Sequence, residues 1–132
     1  MSVEIIITPG DMRLDQWRAI HEGARITLDP AARAAVEQST QTVADIIAQE
    51  RTVYGINTGF GRLARTTIPT DRLQELQRNL VMSHATGLGN PIDDRTVRLI
   101  MALKIGALAR GYSGIRWEVL ENLVAMVNGD VL

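Results

Sequence analysis

Two short segments carry the side chains with chemistry to offer. The first is Tyr54-Gly-Ile-Asn-Thr-Gly-Phe-Gly61, a tyrosine set in glycines. The second is the pair Ser83-His84. A phenol is ordinarily a poor base near neutral pH, because its pKa is about 10. Lowering it by about three units takes roughly 4 kcal/mol of preferential stabilisation of the phenolate. A tyrosine so adjusted can remove a proton from a substrate. Backbone N–H groups in a glycine loop supply that kind of help, and so would Arg62 or Arg65 if they point inward. Gly55, Gly59 and Gly61 let the backbone around Tyr54 take unusual dihedrals and approach a ligand closely. The same residues also read as a surface loop with turn glycines and a half-buried tyrosine.

The spacing Gly59-x-Gly61-x-x-Ala64 partly matches a dinucleotide fingerprint. That motif needs a strand before it, a helix opening on it and an acidic residue about 20 positions further on. Pro69 interrupts the following stretch and no βαβ pattern is evident, so nucleotide binding is set aside. His84 reads in two ways. It is either a core histidine satisfied by one hydrogen bond or an imidazole facing a pocket. His21 falls near the end of a short helix, where it suits the negative end of the dipole; no function is assigned to it. Gly111-Tyr-Ser-Gly114 reads as a turn between helices. The sequence has no cysteine and only two histidines, far apart, so an ordinary structural zinc site is excluded and no metal is expected.

These groups must be positioned by the elements around them. Val3 to Ile7 is a β-branched run stopped by Pro9-Gly10 and reads as a strand. Asp15 to Gly23 predicts a short helix, with Gly23 just past its end. Arg25 to Leu28 predicts a second strand that could pair with the first. Asp29 caps a long helix with Pro30 at its first position, and Val36, Val43, Ile46 and Ile47 form its apolar stripe. Thr52 to Pro69 reads as a long loop, of the kind that is often functional. Asp71 opens another helix, with Leu73, Leu76, Leu80 and His84 on one face and Gly87 and Gly89 ending it. Asp93 starts the next helix. From Val97 to Leu108 it is apolar on nearly every side, interrupted mainly by Arg98 and Lys104, which predicts burial in a core larger than this chain can build. Arg116 to Val127 is an amphipathic helix with Leu120, Leu123, Val124 and Val127 on one side, stopped by Asn128-Gly129. The fold class is therefore mainly α, with a small β element near the N-terminus and a long glycine-rich loop.

The chain has 132 residues and a net charge of −1. That length suits one domain, a single segment over residues 1–132. The charge balance gives no electrostatic reason to expect nucleic acid or an anionic membrane. No apolar run approaches the ~20 residues a membrane helix needs, and the first ten residues lack the pattern of a secretory signal. A cytoplasmic location is expected. The end at Leu132 reads as a cut inside something longer.

Four segments together resemble the aromatic amino acid lyase family, on its histidine-specific branch. They are Tyr54-Gly-Ile-Asn-Thr-Gly-Phe-Gly61, Leu76-Gln-Arg-Asn-Leu-Val-Met-Ser-His-Ala-Thr-Gly87, Arg98-Leu-Ile-Met-Ala-Leu-Lys104 and Arg110-Gly-Tyr-Ser-Gly-Ile-Arg116, in family order and spacing. The resemblance covers essentially the whole chain and is weakest before the glycine loop. It implies the N-terminal region of a carbon–nitrogen lyase that eliminates ammonia from L-histidine to give urocanate, a step of histidine degradation. It implies Tyr54 as the base that removes a β-proton and His84 as the substrate-selectivity position. Ser83 and Asn57 are further candidates for substrate binding, and Gly55, Gly59 and Gly61 shape the loop.

In that family the electrophile is a methylidene-imidazolone ring, formed autocatalytically from an internal Ala-Ser-Gly triad, and no dissociable cofactor is needed. No Ala-Ser-Gly occurs here. Tyr112-Ser-Gly114 matches a different, upstream family segment. The chain alone is therefore expected to be inactive. The resemblance also implies a homotetramer with sites assembled from several subunits, and a small amino acid as substrate. A tyrosine ammonia-lyase, a 2,3-aminomutase or a non-catalytic oligomerisation module of the same descent are the alternatives.

Overall fold

A computed structural model describes residues 4–132, apart from the Leu63 side chain. The predicted start of the first strand, Val3, lies outside the described residues. By contacts the chain forms two compact units, one of residues 1–41 and 91–132 and one of residues 42–90.

The first unit begins with β1 (Glu4–Ile7), α1 (Leu14–His21) and β2 (Arg25–Leu28). The strands pair in parallel, Glu4 against Arg25 through Ile7 against Leu28. A parallel pair needs a crossover rather than a tight turn, and α1 supplies it. This is a βαβ unit, which the sequence reading did not recognise. Strands of four residues and a two-turn helix leave too little periodicity to announce one. It also lies before the glycine loop, so it is not the context a dinucleotide motif requires. Gly23 follows α1 with a φ of +106°, the conformation expected of a residue that stops a helix.

Asp29 accepts the backbone N–H of Ala31, but it caps a single 3₁₀ turn, Pro30–Ala32, that runs on into α2 (Arg33–Ala48). Proline lacks the N–H that the first helical turn leaves unpaired in any case. Two helices complete the unit, α4 (Asp94–Leu108) and α5 (Trp117–Asn128). Asp93 caps α4, its carboxylate accepting both the N–H and the hydroxyl of Thr96. Between α4 and α5, Gly111 has a φ of +77°, and a Cβ there would come within 2.7 Å of the Ala35 backbone. Only glycine allows the turn to lie that close to α2.

Ile7, Ile20, Ile26, Val36, Ala102, Ile105, Leu120 and Val127 are fully buried together. Each large apolar side chain removed from water contributes about 1.5–3 kcal/mol. Arg98 is buried with them, at 6 % exposure. Its guanidinium donates to the carbonyls of Ile20, Ala24 and Val127 and to the Asp130 carboxylate. Those carbonyls stand at the ends of α1 and α5, where helices leave acceptors unpaired and the dipole is negative. One planar cation thus closes two helix ends. The sequence showed Arg98 only as a break in an apolar run. Asn128 does similar work on β2, since its amide exchanges hydrogen bonds with both the N–H and the C=O of Ile26. The outer face of α4 is not covered by the described residues, and Ile100 and Leu103 remain about half exposed.

The second unit contains the end of α2, the glycine-rich loop and α3 (Leu73–His84), which follows a 3₁₀ turn at Thr70–Arg72. The expectation that Gly87 and Gly89 end α3 is corrected. The helix stops at His84, and Ala85 closes it by donating its N–H to Val81. A C-terminal turn can be closed by a backbone hydrogen bond without a left-handed glycine, so the glycines fall beyond it. Among the described residues no helix is long and apolar enough to cross a membrane.

Candidate active site

The glycine-rich loop is tied along most of its length. Val53 offers its carbonyl to the N–H groups of Ile56 and Asn57, at 3.1 and 3.3 Å, which places Tyr54 and Gly55 in a tight turn. Gly55 has a φ of +82°, a conformation that any side chain would strain. Beyond the turn, Thr58 and Thr67 form an antiparallel bridge. Gly59 donates to Thr66 and Ile68 donates to Asn57, at 3.1 and 2.8 Å. The hydroxyls of Thr52 and Thr67 meet at 2.8 Å. Gly61, with a φ of +58°, opens a 3₁₀ turn at Gly61–Leu63. The predicted loop is therefore a structured hairpin-like excursion.

Tyr54 is 63 % exposed on this loop. Its ring meets Phe60 edge to face, with centroids 5.9 Å apart. Quadrupoles favour that arrangement, and Phe60 is a neighbour the sequence reading missed. An aromatic six positions away across a turn was the signal for it.

Asn57 is buried at 4 % exposure. Its Oδ1 accepts from the Val53 N–H at 2.9 Å, and its Nδ2 donates to the Arg51 carbonyl at 2.8 Å. Thr58 is buried beside it in sequence, and its Oγ1 has no hydrogen-bond partner among the described residues. A hollow of about 540 Å³ opens against this loop, lined by Glu50, Thr52, Asn57, Thr67 and Asp71 among others. Neither Tyr54 nor His84 lines it.

Ser83 and His84 occupy the last turn of α3, and both are exposed. His84 Nδ1 lies 2.8 Å from the Leu80 carbonyl oxygen. A carbonyl can only accept, so Nδ1 carries the proton and donates. In the neutral ring Nε2 is then a bare acceptor. The Ser83 hydroxyl donates to the same carbonyl at 3.0 Å and lies 3.0 Å from Nδ1. Ser83 thus holds the orientation of its neighbour. Among the described residues no hydrogen bond or ring contact joins Tyr54 to Ser83 or His84.

Tyr54 thus stands exposed in a glycine turn, and His84 stands exposed at the end of α3 with its Nδ1 committed to the Leu80 carbonyl. Residues 12–132 match the family described as aromatic amino acid lyase, and the chain belongs to that family. A histidine ammonia-lyase of Burkholderia pseudomallei (strain 668) is 55 % identical over 129 residues, 97 % of this chain and 25 % of that protein. Among solved structures, histidine ammonia-lyase from Trypanosoma cruzi superposes with a TM-score of 0.84 at 33 % identity, covering 96 % of this chain and 25 % of that one. Tyrosine aminomutase from Streptomyces globisporus gives 0.87 at 27 % identity, covering 97 % and 24 %. The chain spans about a quarter of the length of the curated relatives it matches, at their N-terminal end.

Proposed function

We propose that the chain is the N-terminal part of a histidine ammonia-lyase, which converts L-histidine to urocanate and ammonia in histidine degradation. The observation that carries this reading is the 55 % identity to a histidine ammonia-lyase across nearly the whole chain. Tyr54 is the base that takes the β-proton of the substrate, a role that typically contributes about 10²–10⁴-fold. His84 reads the substrate ring. With Nδ1 committed to Leu80, Nε2 can accept the N–H of an imidazole. A phenol could also donate there, whereas an unsubstituted benzyl ring could not. Ser83 supports that orientation from the side.

No residue here supplies the electrophile. The sequence has no Ala-Ser-Gly. Tyr112-Ser113-Gly114 does not fit the role, because the Gly114 N–H that would have to cyclise is donated to Ser39 Oγ at 2.8 Å. A methylidene-imidazolone would have to arise from a triad outside these residues. Bound in a complete site, it would serve to make the substrate's amine a leaving group. The complete enzyme is proposed to be a cytoplasmic homotetramer acting on a free amino acid.

A 2,3-aminomutase is the second reading, favoured by the structural likeness to the tyrosine aminomutase. The test is to follow product formation from L-histidine and L-tyrosine by the complete protein and by the isolated 132-residue chain. Urocanate from the complete protein and none from the chain is the expected result. A β-amino acid product would replace the lyase with the mutase. Turnover by the isolated chain would refute the absence of the electrophile. A complete protein inert toward both would leave a non-catalytic oligomerisation module in place of the enzyme.

A further inference from the structure

We infer that Asn57 is a positioning residue for Tyr54, a clamp on the catalytic turn rather than a ligand of the substrate. The inference rests on the reading of Tyr54 as the base. A carboxamide has one acceptor end and one donor end. In Asn57 both are committed to backbone on the N-terminal side of Tyr54: Oδ1 to the N–H of Val53 and Nδ2 to the carbonyl of Arg51. The amide cannot be reversed, since that would set donor against donor and acceptor against acceptor. The residue's own backbone completes the clamp. Its N–H donates to the Val53 carbonyl, and its carbonyl accepts from Ile68. Residue 57 therefore ties residues 51, 53 and 68 together, with Tyr54 and Gly55 bulging between.

Burial agrees with this role. Asn57 is 4 % exposed, while Tyr54, three positions earlier, is 63 % exposed. Among the described side chains of residues 42–90 the buried ones are Asn57, Thr58 and Gly59, and none of these is large and apolar. Directed hydrogen bonds thus hold the turn. A base displaced by about 1 Å from its proton can lose about 100-fold in rate, so a clamp on the preceding residue acts on turnover rather than on binding.

The experiment uses the complete enzyme, with Asn57→Leu and Asn57→Asp made alone and in a Tyr54→Phe background. Hydrogen exchange at the Val53 amide is followed beside kinetics. N57L removes both arms of the clamp. Its Val53 amide should exchange fast while Ile68, bonded to backbone, stays protected. Its kcat should fall by about 10- to 100-fold, with KM for L-histidine changed by less than about threefold. N57D has the same shape, keeps the acceptor for Val53 and loses the donor to Arg51, so its kcat should lie between N57L and wild type. It also stands in for N57L should the latter not fold. In the Tyr54→Phe background neither substitution should lower the residual rate further.

A raised KM with unchanged kcat would make Asn57 a substrate ligand and overturn the inference. So would a Val53 amide that stays protected in N57L, a fully active N57D, or a loss that persists undiminished without the Tyr54 hydroxyl. Near-normal turnover by Tyr54→Phe alone would instead sink the reading of Tyr54, which keeps the two failures apart.

Discussion

The two compact units of this chain are built on opposite principles. In the first, a set of fully buried aliphatic side chains is closed by Arg98, whose three guanidinium nitrogens all donate to protein acceptors. In the second, Tyr54, Ser83 and His84 are all exposed, and backbone hydrogen bonds with one buried amide shape the loop. Val81 and Met82, beside the candidate site residues, are also about two-thirds exposed. The difference separates two uses of polar groups. Arg98, buried, spends its guanidinium on structure. His84 spends one nitrogen on structure and keeps the other.

Tyr54→Phe should give the largest effect, and it tests the functional side of this contrast. In the complete enzyme, turnover of L-histidine should fall by about 10²–10⁴-fold, with the melting temperature unchanged because the hydroxyl makes no hydrogen bond to the described residues. Steady-state kinetics alongside a thermal melt measure both. A variant that melts early would mean the hydroxyl is structural, and the two units would be less distinct than they look.

Arg98→Ala is the mirror experiment. It removes the guanidinium's hydrogen bonds to the carbonyls of Ile20, Ala24 and Val127, leaving Ile20 and Val127 only the backbone N–H groups of Gly23 and Asp130. A hydrogen bond from a charged donor contributes about 1.5–3 kcal/mol, so a destabilisation of about 3–5 kcal/mol is expected in chemical denaturation. The exposed Asp130 partner contributes little to that sum. Arg98→Lys should recover only part of it, since a compact ammonium cannot span acceptors on two helix ends. Stability near wild type in Arg98→Ala would show that water can replace the guanidinium.

Asp93 sharpens the comparison by pH and should give the smallest effect. Hydrogen bonds from the Thr96 hydroxyl and then the Thr96 N–H hold its carboxyl below the ordinary value of 3.8. A carboxylate with a depressed folded-state pKa adds stability above its unfolded value, and that stability is lost as the pH falls through the folded one. Asp93→Ala should therefore lower the melting temperature at pH 6. The gap to wild type should close as the pH drops below 3.8. A gap that stays constant down to low pH would assign the effect to the shape of the cap rather than its charge.

Much of this was legible in the residues. Asp93 before α4, Gly23 after α1 and the apolar face of α5 each obey local rules, because caps, left-handed glycines and helical stripes depend on neighbours within one or two turns. The loop and its tyrosine could be located for the same reason. What stayed hidden depended on distant partners. Arg98 meets carbonyls from α1 and α5, and Asn128 meets β2 about a hundred positions earlier in the chain. Nothing in the spacing of an arginine along its own helix reports such acceptors. Asn57 is the intermediate case. Its contacts are local, but an asparagine in a glycine loop could equally face a ligand, and only the direction of its amide distinguishes the two.

The sequence by itself determined the elements, their order and the family, because hydrophobic period, capping chemistry and motif spacing are written along one dimension. Tertiary structure decided which polar groups are used up and which remain available. Hydrogen bonds are directional and saturable, so availability depends on where the partner atoms stand in space. That is why His84 keeps an open nitrogen while both ends of the Asn57 amide and every nitrogen of the Arg98 guanidinium are engaged by protein groups.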